Sequence, residues 1–184
     1  MLFASQPAYI GAFEQPKRRI EMIKAIIGMA RSMKGVTLVI KPHPGENKKD
    51  LISLLRTRQN IVLVDGSINI LPLIKCCDVF VTFFSTTAVQ ALYADKPVIT
   101  IDLPGSGGGR FYTDSQATWV ARSVDDVQRY ISYFLSPQRV DHLNSKREAK
   151  TRFLHDVVGE TDGQATNRVV QSVAALLALE PVRP

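Results

Sequence analysis

Cysteine is nearly absent: the 184 residues hold two, Cys76 and Cys77, side by side. Adjacent cysteines cannot bridge each other without straining the peptide between them. The chain therefore has no disulfide frame, and buried, reduced thiols at the end of an apolar helix fit a reducing compartment. No second Cys or His pair stands at ligand spacing, so no metal site is expected. Long hydrophobic runs are also missing. None approaches the roughly 20 residues that span a bilayer. Met1–Ser5 is too short for a secretory signal and lacks its basic flank, so the chain reads as cytoplasmic. The glycine cluster Gly105–Gly109 has neither Walker nor GxGxxG spacing. Aromatics do not interleave with the basic residues and no nucleic-acid module is visible, so nucleic acid is not expected as a partner.

What is present is an ordinary globular composition, 45% hydrophobic and 22% charged. The length suits one domain over residues 1–184 with a full core. A net charge of +6 implies attraction to anionic ligands or surfaces without choosing among them. Arg139, Lys146, Arg147, Lys150 and Arg152 crowd one late segment, whose plain reading is a solvated helix face.

Strand and helix patterns alternate along the chain. Leu2–Ser5 reads as a short buried strand. Ile20, Ile23, Ile26, Ile27 and Ala30 stand at helical spacing and predict a helix over 19–33, stopped by Gly35. Further strands are expected over 36–40, 61–64, 79–82, 97–101 and 118–121. Helices are expected from Asn47 to about Arg58, from near Ser67, and over 86–94, 124–135, 142–155 and 164–179. Ser123 begins the 124–135 helix, with Asp125 and Asp126 in its first turn. The strands are continuously apolar rather than alternating, which argues for a parallel sheet covered on both faces. Regular β-α alternation makes this an α/β domain, doubly wound with a mainly parallel sheet.

In such a sheet ligands bind at the carboxyl edge of the strands. Lys41-Pro42-His43-Pro44 lies there, with prolines bracing a histidine that can donate to a phosphate oxygen. A turn histidine bonded to a nearby carbonyl explains the same residue, and the local sequence favours neither. Ser85, Thr86 and Thr87 begin a helix, where hydroxyls and free N–H groups can surround an anion. Simple capping is the alternative, but a run of hydroxyls exceeds what a cap needs. Gln90, about one turn on, can bond a ribose diol or merely face solvent. Asp65, Gly66 and Ser67 end a strand and can meet a nucleobase or form a plain turn. Gly107, Gly108 and Arg110 form a candidate flap or part of a linker. Ser5, Gln6 and Pro7 close the first strand beside the expected pocket.

Taken together, these residues resemble the C-terminal, donor-binding half of GT-B glycosyltransferases. The resemblance rests on Lys41–Pro44, Ser85–Thr87, Gln90-Ala91-Leu92 and Lys96-Pro97-Val98-Ile99. Asp162–Arg168 also resembles the start of that fold's closing helix. Bacterial capsule-polysaccharide transferases, bacterial sialyltransferases and CDP-glycerol glycerophosphotransferases are the most similar groups, and UDP-N-acetylglucosamine 2-epimerases share the architecture.

The resemblance implies a catalytic His43 that, with Ser85, Thr86 and Thr87, holds the donor phosphates and stabilises the departing charge. It places Gln90 where a ribose-binding Glu is usual, and an amide bonds a diol more weakly than a carboxylate does. It places Asp95 where a Gly is usual, a change that left-handed Asp tolerates. It further implies a CMP-, CDP- or UDP-linked donor, no cofactor, and peripheral contact with the inner face of the membrane. The acceptor site belongs to an N-terminal half, supplied by a longer polypeptide or another subunit, without which the chain turns over little or nothing. The rival readings are a UDP-N-acetylglucosamine 2-epimerase-like enzyme and a non-catalytic nucleotide-binding module.

Overall fold

A computed structural model describes residues 1–7, 16–55, 60–103 and 110–179. Its strands are β1 (Leu2–Ala4), β2 (Leu38–Lys41), β3 (Ile61–Leu63), β4 (Phe80–Thr82), β5 (Val98–Ile101) and β6 (Trp119–Ala121). They form one sheet in the order β3-β2-β1-β4-β5-β6, and every pairing is parallel. Parallel neighbours need crossovers. These contain α1 (Pro16–Ser32), α2 (Lys48–Leu54), α3 (Ile70–Cys76), α4 (Thr87–Tyr93) and the single turn α5 (Arg110–Thr113). After the last strand come α6 (Val124–Leu135), α7 (Arg139–Asn144), α8 (Arg147–Val158) and α9 (Ala165–Leu179). Among the described residues no helix is long and apolar enough to cross a membrane.

Successive strand residues point to opposite faces, and here both faces are covered. Phe3, Leu38, Ile40, Val81 and Ile99 meet Ile23, Ile26 and Ile27 of α1 and Val127, Ile131 and Phe134 of α6. Leu2, Ala4, Phe80 and Val98 meet Ile74 of α3, Ala88, Ala91 and Leu92 of α4, and Phe153 of α8. This two-sided burial is why the strands read as continuous apolar runs. Buried hydroxyls are satisfied inside the sheet: Thr82 Oγ1 donates to Ala4 O at 2.9 Å, and Thr100 and Thr118 share a 2.7 Å bond. The strand order reverses at β1, and the crossovers on either side of β1 and β4 diverge to leave a crevice at their carboxyl ends.

Several local expectations shift. The helix expected over 142–155 is two, α7 and α8. Ser145 Oγ donates to His142 O (2.7 Å) and Lys146 N to Leu143 O (3.3 Å), which closes α7 in a tight turn. The break sends Leu143 against one side of the sheet and Phe153 against the other. The helix expected from near Ser67 starts at Ile70, where Asn69 Oδ1 caps by accepting from Leu71 N at 3.0 Å. Of the two cysteines only Cys77 is buried; Cys76 ends the exposed face of α3. Helix α2 stops at Leu54, and residues 56–59, like 104–109, lie outside the described residues. Asp95 takes the left-handed backbone that the sequence asks of it, with φ 57°.

Candidate functional site

At the carboxyl edge, the end of β1 and the loops after β2, β3 and β4 enclose a cleft of about 320 Å³. His43, Gly66, Ser67, Ser85, Thr86 and Thr87 line it, above Lys41 and Ser5. The fold thus brings together residues from four separate crossovers.

The histidine loop is held by its own turn and by a buried ion pair. Gly45 N donates to His43 Nδ1 at 3.1 Å. Because Nδ1 accepts, the ring proton belongs on Nε2, an assignment made from hydrogen-bond geometry. The exposed imidazole therefore offers an N–H to the cleft. Glu46 secures the loop: its Oε2 accepts from His43 N at 3.2 Å, and its own N donates to His43 O at 2.9 Å. Behind it, Glu46 pairs with Arg19 of α1, the two side chains being 6% and 4% exposed. Arg19 also donates to Ser5 Oγ (3.0 Å), and Ser5 Oγ donates to Glu46 Oε1 (2.9 Å). Sequence reasoning missed Arg19 and Glu46. The only local signal is a carboxylate three positions after His43, placed to accept from that turn.

Lys41 forms the floor. Its buried Nζ donates to Pro42 O (3.0 Å) and Gly66 O (2.5 Å). Burial pushes its pKa below the ordinary lysine value, and the nearby Asp65 opposes the shift. Gly66 must approach closely here: a Cβ would stand 3.2 Å from His43 O and 3.5 Å from Pro42 O. Asp65 makes the turn, its Oδ1 accepting from Ser67 N (2.9 Å) and Ser67 Oγ (2.7 Å). Asp65 itself faces a groove beside Ile52 and Leu55 rather than the cleft.

Within the hydroxyl run, Thr87 Oγ1 and Thr87 N both donate to Ser85 Oγ, at 2.8 and 3.3 Å. Thr86, at the N-cap of α4, makes no side-chain capping bond and is exposed in the cleft. Tyr112 of α5 donates from its hydroxyl to Ser85 O at 2.7 Å, and burial pushes its phenol well above the usual range. Buried Gln6 holds the exit from β4, its Oε1 accepting from Phe84 N at 2.9 Å.

Other candidates lie elsewhere. Gln90 is exposed on α4 and lines a separate apolar groove of about 610 Å³ with Leu71, Val89, Tyr93 and the start of α9. Arg110 is exposed at the start of α5. Gly107 and Gly108 lie outside the described residues.

Residues 22–175 match the model of a family described as CDP-Glycerol:Poly(glycerophosphate) glycerophosphotransferase. No curated protein matches the sequence. Among solved structures, S. aureus MnaA with UDP is similar at 16% identity and a TM-score of 0.64, over 100% of this chain and 47% of that one. The pneumococcal O-GlcNAc transferase GtfA, in complex with UDP and GlcNAc, is similar at 15% identity and TM-score 0.54, over 94% and 35% of the two chains. The C-terminal CMP-Kdo binding domain of WaaA from Acinetobacter baumannii is similar at 10% identity and TM-score 0.52, over 83% and 88%. This chain spans about half the length of MnaA, the first of these. These likenesses identify the doubly wound sheet as the Rossmann-like half of a GT-B fold.

Proposed function

The chain belongs to the CDP-glycerol:poly(glycerophosphate) glycerophosphotransferase family, and from that premise we propose that it is the donor-binding half of a GT-B-type transferase. That enzyme moves a sugar or polyol phosphate from a nucleotide-activated donor to a growing surface polysaccharide. The observation that carries the reading is the cleft at the reversal of strand order, where His43 meets Ser85, Thr86 and Thr87.

The cleft suits a departing phosphate. As the bond to the transferred group breaks, negative charge builds on the nucleotide's leaving phosphate. His43 Nε2–H and the Thr86 hydroxyl stand as donors in the cleft, and the buried Lys41 ammonium adds positive field from below. The assistance is electrostatic, with no covalent intermediate on the protein. Among the described residues no carboxylate lines the cleft. Epimerisation needs acid and base groups at the sugar, and the described lining supplies no carboxylate for that work. Gly66 and Ser67 face the nucleoside in this reading, and Gln90 reaches the ribose only if α4 turns its outer face inward.

The donor is linked to CMP, CDP or UDP; UDP and CMP-Kdo are the groups named for the similar structures. The acceptor site comes from another half of the enzyme, so residues 1–184 alone are inactive. The enzyme works in the cytoplasm, peripheral to the inner face of the membrane, on a capsule-type polymer.

Calorimetric titration of the chain with CMP, CDP, UDP and UDP-N-acetylglucosamine tests this. One nucleotide binds selectively, and His43→Ala and Thr86→Ala each weaken it, His43→Ala by about tenfold, the scale of one charge-assisted hydrogen bond. Binding of none, or wild-type affinity in both variants, overturns the phosphate role.

A further inference from the structure

We infer that a second anion site, separate from the donor cleft, lies at the amino edge of the sheet and takes a phosphate group. The turns that enter β5 and β6 and the junction of α7 with α8 enclose a cavity of about 230 Å³. Lys96, Lys146, Arg147 and Lys150 converge on it, and Asp95 is the one carboxylate in its lining among the described residues. Trp119 forms part of an apolar wall. Charges of one sign against low-dielectric walls concentrate the field in such a space.

Burial sets this cluster apart from a solvated helix face, the plain reading of the basic run. Lys146 is half-buried; its Nζ donates to Gln116 O at 2.9 Å and lies 5.6 Å from the centre of the Trp119 ring. Burial lowers its pKa. Lys150, also half-buried, pairs with Asp95, which engages the cavity's single acid and leaves its other three cations in excess. Lys146, Arg147 and Lys150 also stand at the positive end of the α8 dipole, whose first turn has no side-chain cap and carries one acid, Glu148, outside the cavity's lining. Cations there destabilise the helix, and an anion among them reverses the sign.

The donors reach the cavity from three places: the turn before β5, the α7–α8 junction and the first turn of α8. A phosphate, with several charged oxygens and a match for the arginine fork, meets such a spread better than a carboxylate does. The phosphate can be a free phosphoester or a lipid headgroup. Asp95 and Lys96 precede β5 and Trp119 opens β6, so this site faces the opposite edge from His43 and both can be filled at once.

Trp119 is the only tryptophan in the chain, so its fluorescence reports on this cavity. The full chain is titrated with inorganic pyrophosphate and, separately, with phosphatidylglycerol or phosphatidylcholine vesicles. A saturable change in emission that weakens with added NaCl is expected. Saturation by pyrophosphate supports a free phosphoester, and saturation by phosphatidylglycerol vesicles alone supports a headgroup. The pair Lys146→Gln with Lys150→Gln raises the half-saturating concentration about tenfold or more. Arg147→Gln, an exposed position, weakens binding several-fold and stands in if the lysine pair fails to fold. Lys24→Gln, at an exposed position of α1 that lines neither cavity, gives the wild-type curve. No saturable change with any probe, equal response to both vesicle types in the absence of a pyrophosphate response, or curves indifferent to the lysine and arginine variants overturn the site.

Discussion

Lys41 and Gly66 are joined side chain to backbone: the buried Lys41 Nζ donates to Gly66 O at 2.5 Å while also holding Pro42 O at 3.0 Å. One ammonium thereby ties the loop after β2 to the loop after β3. The histidine turn and the Asp65–Ser67 turn are tied to each other beneath the cleft.

Lys41→Met removes that tie and a pH dependence with it. Burial holds the folded Lys41 pKa below its ordinary 10.5, so the unfolded chain binds more protons between the lowered value and 10.5. Stability then rises with pH through that window. Urea unfolding of both chains across the alkaline range is expected to show the stability difference between wild type and Lys41→Met shifting in favour of the wild type as pH rises towards 10.5, the opposing contributions of Tyr112 and Cys77 being common to both. Lys146 and the Met1 amino group, which burial also lowers, add to the rise, and Cys77 and Tyr112, which burial raises, oppose it.

Gly66→Ala puts a methyl group 3.2 Å from His43 O. One of the two loops must give by a few tenths of an ångström, and the backbone that the methyl presses on carries the histidine proposed to hold phosphate. Nucleotide affinity should fall several-fold while the melting temperature drops by only a few degrees, since ~1 kcal/mol is the common scale of a mild steric change. Calorimetry beside a thermal melt reads both.

Glu46→Gln leaves the Arg19 guanidinium buried without its charge partner. Breaking a buried pair from one side costs about 3 kcal/mol or more. The double variant Arg19→Met with Glu46→Gln is expected to recover much of that loss. Denaturant unfolding of the four chains closes the cycle, and a double variant no better than Glu46→Gln alone would refute the pairing.

Tyr112→Phe keeps the ring's contacts, edge-on to Phe111 at 5.0 Å and tilted to Phe153 at 5.9 Å between centroids, and loses only the bond to Ser85 O. The expected cost near neutral pH is about 1 kcal/mol. Because the folded phenol is held above its ordinary 10.0, the unfolded chain ionises first and wild-type stability falls as pH climbs past 10.0. Tyr112→Phe should lack that part of the fall in unfolding curves taken below and above this point.

Local signals served the fold well. Ser123 with Asp126 reads as a helix start, and the structure closes it as a reciprocal cap over α6. Asp95 stands in for glycine at φ 57° as its place after a helix requires. Relationships between distant positions were not legible. Arg19 and Glu46 stand 27 positions apart and Tyr112 and Ser85 stand 27 apart, and neither partner announces the other. Gln90 shows the limit of spacing arguments. Its interval from Thr86 and Thr87 is one helical turn, but burial of Ala88, Ala91 and Leu92 decides which face of α4 turns inward, and Gln90 is on the other. The α7–α8 break was hidden for the same reason, since Leu143 and Phe153 serve different sides of the sheet.

Residues 2–4 occupy the middle of the sheet, with β2 on one flank and β4 on the other. Thr82 reaches back to Ala4 across 78 positions of sequence. Without this strand, β3–β2 and β4–β5–β6 are two ribbons with no common border. The strand acts as a keystone: a cut that frees residues 2–4 parts both arms and opens the crevice between them, whereas trimming β6 from the rim leaves the other strands joined.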